Sequence, residues 1–331
     1  MVNFNRWLIF IGFTILSIAV LSLLGLTLYE AWLFHSIGGI VSLGLLIGAL
    51  IAIVNEAKRL AATPPSKTTR SNQFLQGLTL FLGGMITFAI SHDLGLGPVI
   101  ATCVIALLAH MIMPKYSVAA YCGSFVGMTS NLLFYNYAEV ALASLIAAVV
   151  FYLTRDVFNG FGGKLGTIAL VGTAITCHSL NRDFLTLSIA DFQTNLWIVI
   201  VATIAAALTY HFNNNKKQGP VLASAVVGIL GALLLPPLFP EIGNTLAVVA
   251  ICASFTGMTS QSRCPNFWIF LVTGILTGIV FVYSTPQLAG AGGKLGTIAF
   301  SAVLSTCGYR KLFTWLAERK QGKEISQKNN S

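Results

Sequence analysis

The chain opens on two long apolar runs, "FNRWLIFIGFTILSIAVLSLLGLTLY" and "AWLFHSIGGIVSLGLLIGALIAIV". Each reaches the roughly 20 residues that an α-helix needs to cross a bilayer. The first is too long for a secretory leader, lacks an Ala-x-Ala-like exit and leads straight into the second, so it reads as a permanent helix. After a basic loop the pattern resumes as apolar segments at 74–91, 97–113, 117–134, 138–154 and 164–180. A second set follows at 195–212, 219–237, 243–260, 266–284 and 294–309. Neither set shows the ten-residue alternation of a membrane β-barrel.

The two sets are copies. Gly162 and Gly292 stand 130 positions apart, as do Cys122 and Cys252. "YCGSFVGMTS" at 121–130 therefore aligns without a gap to "ICASFTGMTS" at 251–260. "GFGGKLGTIAL" at 160–170 aligns in the same way to "GAGGKLGTIAF" at 290–300. Upstream, "GPVIATCVIALL" from Gly97 matches "GPVLASAVVGIL" from Gly219 at an offset of 122.

An odd number of spans per copy would turn the second copy upside down in the membrane, and loop charge tests this because positive loops stay cytoplasmic. Matched loops read "SHDLGL" against "NNNKKQ", "MPKYS" against "PPLFPEIGN", "NLLFYNYAE" against "QSRCPN", and "TRDVFNGFGG" against "STPQLAGAGG". Each pair switches between basic and neutral or acidic, as inverted copies require. With both termini cytoplasmic, every Lys and Arg except Arg182 and Lys294 lies inside. The expected fold is an all-α integral membrane protein of about 12 transmembrane helices. A helix pair and basic loop at 1–71 precede two inverted-topology five-helix repeats, at 72–192 and 193–312, and a basic cytoplasmic tail covers 313–331. The first two helices are expected to be peripheral to the repeats. The expected location is the bacterial inner membrane.

Composition agrees. Of 331 residues 56% are hydrophobic and only 9% charged, against about 25% charged in a soluble domain. The net charge of +9 is spread over short loops and the tail, so it marks cytoplasmic segments and not nucleic-acid binding. The last ten or so residues are expected to be disordered. The six cysteines form no CxxC and suggest no disulfide framework.

Three duplicated constellations could carry chemistry. In "GGKLGT", residues Gly162, Gly163, Lys164, Gly166 and Thr167 recur as Gly292, Gly293, Lys294, Gly296 and Thr297. Glycines permit close backbone approach, a helix start presents free N–H groups, and the lysine adds a full charge, which together make an anion site. The competing use is helix packing with a lysine reaching to the interface. Lys294 stands out because its side of the membrane otherwise nearly lacks basic residues. The phrase is not a phosphate loop of the GxxxxGK[ST] type.

The second constellation is Ser124, Thr129 and Ser130, repeated as Ser254, Thr259 and Ser260. Hydroxyls and free carbonyls at a helix break can hold Na⁺ or a polar substrate, or the hydroxyls can bond their own helix. The third is Cys122, Met128 and Cys177 with Cys252, Met258 and Cys307, which would suit a soft metal or plain packing. The histidines are not shared between copies. No Asp or Glu falls mid-span, which disfavours a carboxylate-driven proton pump.

Inverted repeats are frequent in transporters. The leading expectation is a secondary transporter or facilitative channel for a small polar, anionic solute in the lipid bilayer, with no catalytic residues and no cofactor. A coupling ion, Na⁺ or H⁺, is left open, as is the oligomeric state. The alternatives are a membrane enzyme or lipid-handling protein that grips a phosphate headgroup, and a structural subunit of a membrane complex.

Overall fold

A computed structural model describes residues 2–62 and 70–328. The protein is all-helical, 79% helix, with no strands among the described residues. The helices are α1 (Val2–Phe34), α2 (Ser36–Ala62), α3 (Arg70–His92), α4 (Gly97–Ile112), α5 (Ser117–Gly127) and α6 (Tyr137–Leu153). They continue as α7 (Lys164–Ser179), α8 (Phe192–Tyr210), α9 (Pro220–Leu238), α10 (Gly243–Gly257), α11 (Phe267–Ser284) and α12 (Lys294–Lys328). Within the described residues, 6 helices are long and apolar enough to cross a membrane, and three shorter apolar ones accompany them. This is the helix content of an integral membrane protein.

Helix starts follow local chemistry. Asn136 and Asn266, 130 apart, cap α6 and α11, accepting from the N–H of Glu139 and Trp268. Proline stands in the first turn of α4 and α9, where no N–H is missed.

Two segments depart from the apolar pattern. Helices α5 and α10 stop at Gly127 and Gly257, although hydrophobicity continues to 134 and 260. At each stop a threonine hydroxyl bonds back three residues: Thr129 Oγ1 donates to the Val126 carbonyl and Thr259 Oγ1 to that of Thr256, both at 2.7 Å. Such side-chain bonds compete with helix continuation. At 11 residues, α5 is only about 16 Å long and cannot cross a bilayer by itself.

Of the expected disordered end, residues 322–328 continue α12, which carries the helix formers "LAERKQ" just before them. Residues 329–331 lie outside the described part.

The first two helices pack tightly on the rest of the bundle. Gly48 and Gly308 bring α2 and α12 into backbone contact. Ser305 Oγ donates to the Leu45 carbonyl at 2.6 Å and the Tyr309 hydroxyl to that of Gly44 at 2.7 Å. Their charged ends are also tied in. Glu56 of α2, 1% exposed, pairs with Arg59 at 2.6 Å and Arg263 at 3.3 Å, and accepts from the Phe158 N–H at 2.8 Å. At the other end of the pair, Gln287 Nε2 donates to Glu30 at 2.5 Å.

These contacts sort the loops into two groups. Glu56, Asn159 and Arg263 meet in one, where Arg263 Nε donates to the Asn159 carbonyl at 2.8 Å. Glu30 and Gln287 meet in the other, as do Asp93 with Tyr137, and Glu139 with Arg182 at 2.6 Å.

Candidate functional site

The two repeated phrases face each other across the copies. The Gly292 N–H donates to Thr129 Oγ1 at 3.2 Å, and the Gly162 N–H donates to Thr259 Oγ1 at 3.0 Å. The Ser130 N–H donates to the Gly290 carbonyl and the Ser260 N–H to that of Gly160, both at 2.9 Å. Each "GMTS" thus grips the "GGKLGT" of the other copy. The approach is close because a side chain at Gly292 would collide with the Phe125 and Val126 carbonyls, and one at Gly162 with those of Phe255 and Thr256. The carboxy-terminal end of α5 therefore points at the start of α12, and that of α10 at the start of α7. The opposed dipole ends offset one another.

The starts of α7 and α12 cross at glycine. A Cβ on Gly166 would stand 2.5 Å from the Cα of Gly296, and one on Gly296 the same distance from Gly166. Gly163 and Gly293 cap these helices with φ of +82° and +86°, which disfavour any side chain, and each lies against the opposite helix backbone. Thr297 Oγ1 donates to the Gly293 carbonyl at 3.2 Å. The matched Thr167 hydroxyl is buried and has no partner among the described residues.

The lysines bond the helix that precedes them. Lys164 Nζ donates to the Thr154 carbonyl that ends α6, at 2.6 Å, and to Asn159 Oδ1 at 3.0 Å. Lys294 Nζ donates to the Thr285 carbonyl that ends α11, at 3.1 Å. A cation at a helix carboxy terminus is favourable, so part of each lysine's role is structural. Each also borders a cavity. The one at Lys164, about 500 Å³, includes Val118, Phe151, Arg155, Asp156, Asn159 and Ile168. The one at Lys294, about 200 Å³, includes Val248, Phe281, Thr285, Ala289 and Ile298. Shifting the first set by 130 reproduces the second except that Arg155 becomes Thr285, Asn159 becomes Ala289 and Asp156 is replaced by Pro286. The lysines and these walls are paired like the phrases, whereas Gln73, Gln76 and Tyr152 in the first cavity and Phe125, Leu187 and Phe255 in the second have no counterpart.

Ser124 and Ser254 lie away from these turns. Ser124 hydrogen-bonds Thr102, and Ser254 bonds Ser224 at 2.7 Å; Thr102 and Ser224 match at the offset of 122. The Tyr121 hydroxyl joins Ser224 at 2.9 Å and so links the copies. Ser254 Oγ donates its proton to the Ile251 carbonyl, so Ser224 donates to Ser254 and Tyr121 to Ser224. This ladder pins α4, α5, α9 and α10 together.

The sulfur residues are spread out. Cys122 and Cys252 thiols donate to the Leu165 and Leu295 carbonyls at 3.3 and 3.2 Å, and Cys307 to that of Arg263 at 3.8 Å. Met128 and Met258 cap α5 and α10, and Cys177 is buried in α7. The described residues contain no group of three or more His, Cys, Asp or Glu suited to a metal.

Several groups escaped the sequence reading. Glu56 and Glu139 are both buried carboxylates among arginines. His92 Nε2 donates to the Thr129 carbonyl at 3.0 Å, and Asn214 Nδ2 donates to the Thr259 carbonyl at 3.0 Å. These two stand 122 apart, so the upstream offset could have paired them although their residue types differ. No protein-family model, curated protein or solved structure matches the chain.

Proposed function

We propose that the chain is a membrane transporter or facilitative channel for a small polar, anionic solute. In this reading about 12 segments cross a bacterial inner membrane, both termini are cytoplasmic, and the two five-helix copies are inverted. One observation carries it. Two cavities that share seven lining positions at an offset of 130 each border a repeated lysine. They lie beside the glycine crossing of α7 and α12, and their loops belong to the two different loop groups. Inverted repeats move a solute by rocking one copy against the other, so that matched surfaces open in turn to the two sides, an analogy of plan. A purely structural subunit would have no use for matched cavities with a cation in each.

Cysteine-accessibility labelling in intact cells, on a background without native cysteines, tests the topology. Positions 216 and 263 are expected on the cytoplasmic side, and positions 93, 241 and 287 on the other. Labelling of 93 and 216 from one side would refute the inverted arrangement. Solute flux in proteoliposomes tests the activity. Lys164→Gln and Lys294→Gln should each lower the flux of an anionic solute and raise its KM. Parent rates in both variants would reduce the lysines to helix caps.

A further inference from the structure

Building on the transport reading, we infer that the Lys294 cavity is a binding site for a small organic monocarboxylate with an apolar body. Lys294 is 8% exposed and gives one of its three donors to the Thr285 carbonyl. No Asp or Glu among the described residues lies within ion-pair distance of it. A buried cation without a counter-charge is costly, so an anion that enters the cavity gains what the protein leaves unsupplied. The opposed ends of α5 and α12 offset each other, which leaves the single charge of the lysine. A single charge suits a monoanion better than phosphate.

The walls define the rest of the ligand. Phe125, Leu187, Val248, Phe255, Phe281 and Ile298 line the cavity together with the lysine. They offer a charged or strongly hydrated ion nothing to replace its water, but they accept a ring or short alkyl chain. The cavity, about 200 Å³, falls below the roughly 300–1,000 Å³ of pockets for drug-sized ligands, so the body is limited to about one ring. The matched cavity lacks this selectivity, because Arg155, Asp156 and Asn159 line it and Lys164 already spends two donors on Thr154 and Asn159. The carboxylate would take the two remaining N–H groups of Lys294 while its body packs among the aromatic rings.

Calorimetric titration of the whole protein in nanodiscs tests the site with benzoate, benzyl alcohol and inorganic phosphate. Benzoate should bind at least about tenfold more tightly than either of the others, the size of one charge-assisted contact. Lys294→Gln should cost benzoate about tenfold and leave benzyl alcohol unchanged. Val248→Phe fills the cavity and should abolish benzoate binding with the charge intact. Equal binding of benzoate and benzyl alcohol, equal binding of benzoate and phosphate, or no benzoate binding would each overturn the inference without needing any variant. Flux separates this inference from the transport reading. Benzoate that binds but never crosses a proteoliposome membrane keeps the site and sinks transport by this route. Phosphate flux that depends on Lys164, with no benzoate binding, keeps transport and sinks the site.

Discussion

The turn at Lys164 and the turn at Lys294 share a sequence, a backbone and a neighbour, yet they face different surroundings. Both glycine caps sit at φ near +80°, and the glycine before each is gripped by a threonine of the opposite copy. Only one turn is ringed by Arg155, Asp156 and Asn159. The matched phrases keep what a close helix crossing demands, while the walls of the cavities differ. Backbone geometry tolerates few residue types, whereas a cavity wall tolerates many.

The strongest way to break this likeness is at the crossing. Gly163→Val and Gly293→Val each put a branched side chain into the opposing backbone at a positive φ. Both should prevent assembly of a monodisperse protein, as size-exclusion chromatography would show. A well-folded variant at either position would mean that the two turns are not equivalent.

A smaller effect is expected from Glu56, which two arginines share, whereas Glu139 in the other loop group pairs with Arg182. Glu56→Gln leaves Arg59 and Arg263 without their shared counter-charge and should lower unfolding stability by about 3 kcal/mol. Glu30, which meets Gln287 on the other side, is no part of an arginine cluster. Glu30→Gln should cost less than about 1 kcal/mol, since it trades one hydrogen-bonded neighbour for another. Similar losses in the two variants, measured by unfolding in detergent, would erase the contrast.

Much of this was legible in the chain, and the exceptions have physical causes. Period and length gave the helices, and the offset of 130 gave the pairing of Gly162 with Gly292 and of Thr129 with Thr259. The stops of α5 and α10 were hidden because a hydrophobic segment reads the same whether it is helical or turned. The stop shows only in the fold, where the Ser130 and Ser260 N–H groups leave the helix ladder for the Gly290 and Gly160 carbonyls. Glu56 was passed over because it stands near the end of an apolar run, where a carboxylate normally reaches water. Its burial depends on Arg263, which lies 207 positions away. That each "GMTS" meets the other copy's lysine turn is likewise a fact of three dimensions.

Subtler tests sharpen the likeness. Thr129→Val and Thr259→Val remove the acceptor for the Gly292 and Gly162 N–H groups while keeping shape. Each should cost about 1 kcal/mol, within the range for membrane hydrogen bonds. Unequal costs in thermal unfolding would show that one grip matters more. The least effect is expected from His92→Asn, which copies the Asn214 contact of the other half. A loss above about 0.5 kcal/mol would mean that the imidazole does more than hold the Thr129 carbonyl.

Helix α12 is a single rod that starts beside the cavity and continues to Lys328. Its pivot, the contact of Gly296 with Gly166, lies near one end. At 1.5 Å per residue, Lys294 stands about 3 Å along the axis on the short side, and Arg319 about 35 Å on the long side. While the rod stays straight, tilting acts as a gear with a ratio of roughly ten. A displacement of Lys294 too small to see directly becomes many ångströms of travel at Arg319. Gly308 seated on Gly48 is a second close contact farther along the rod, so such a tilt would require α2 to move with it.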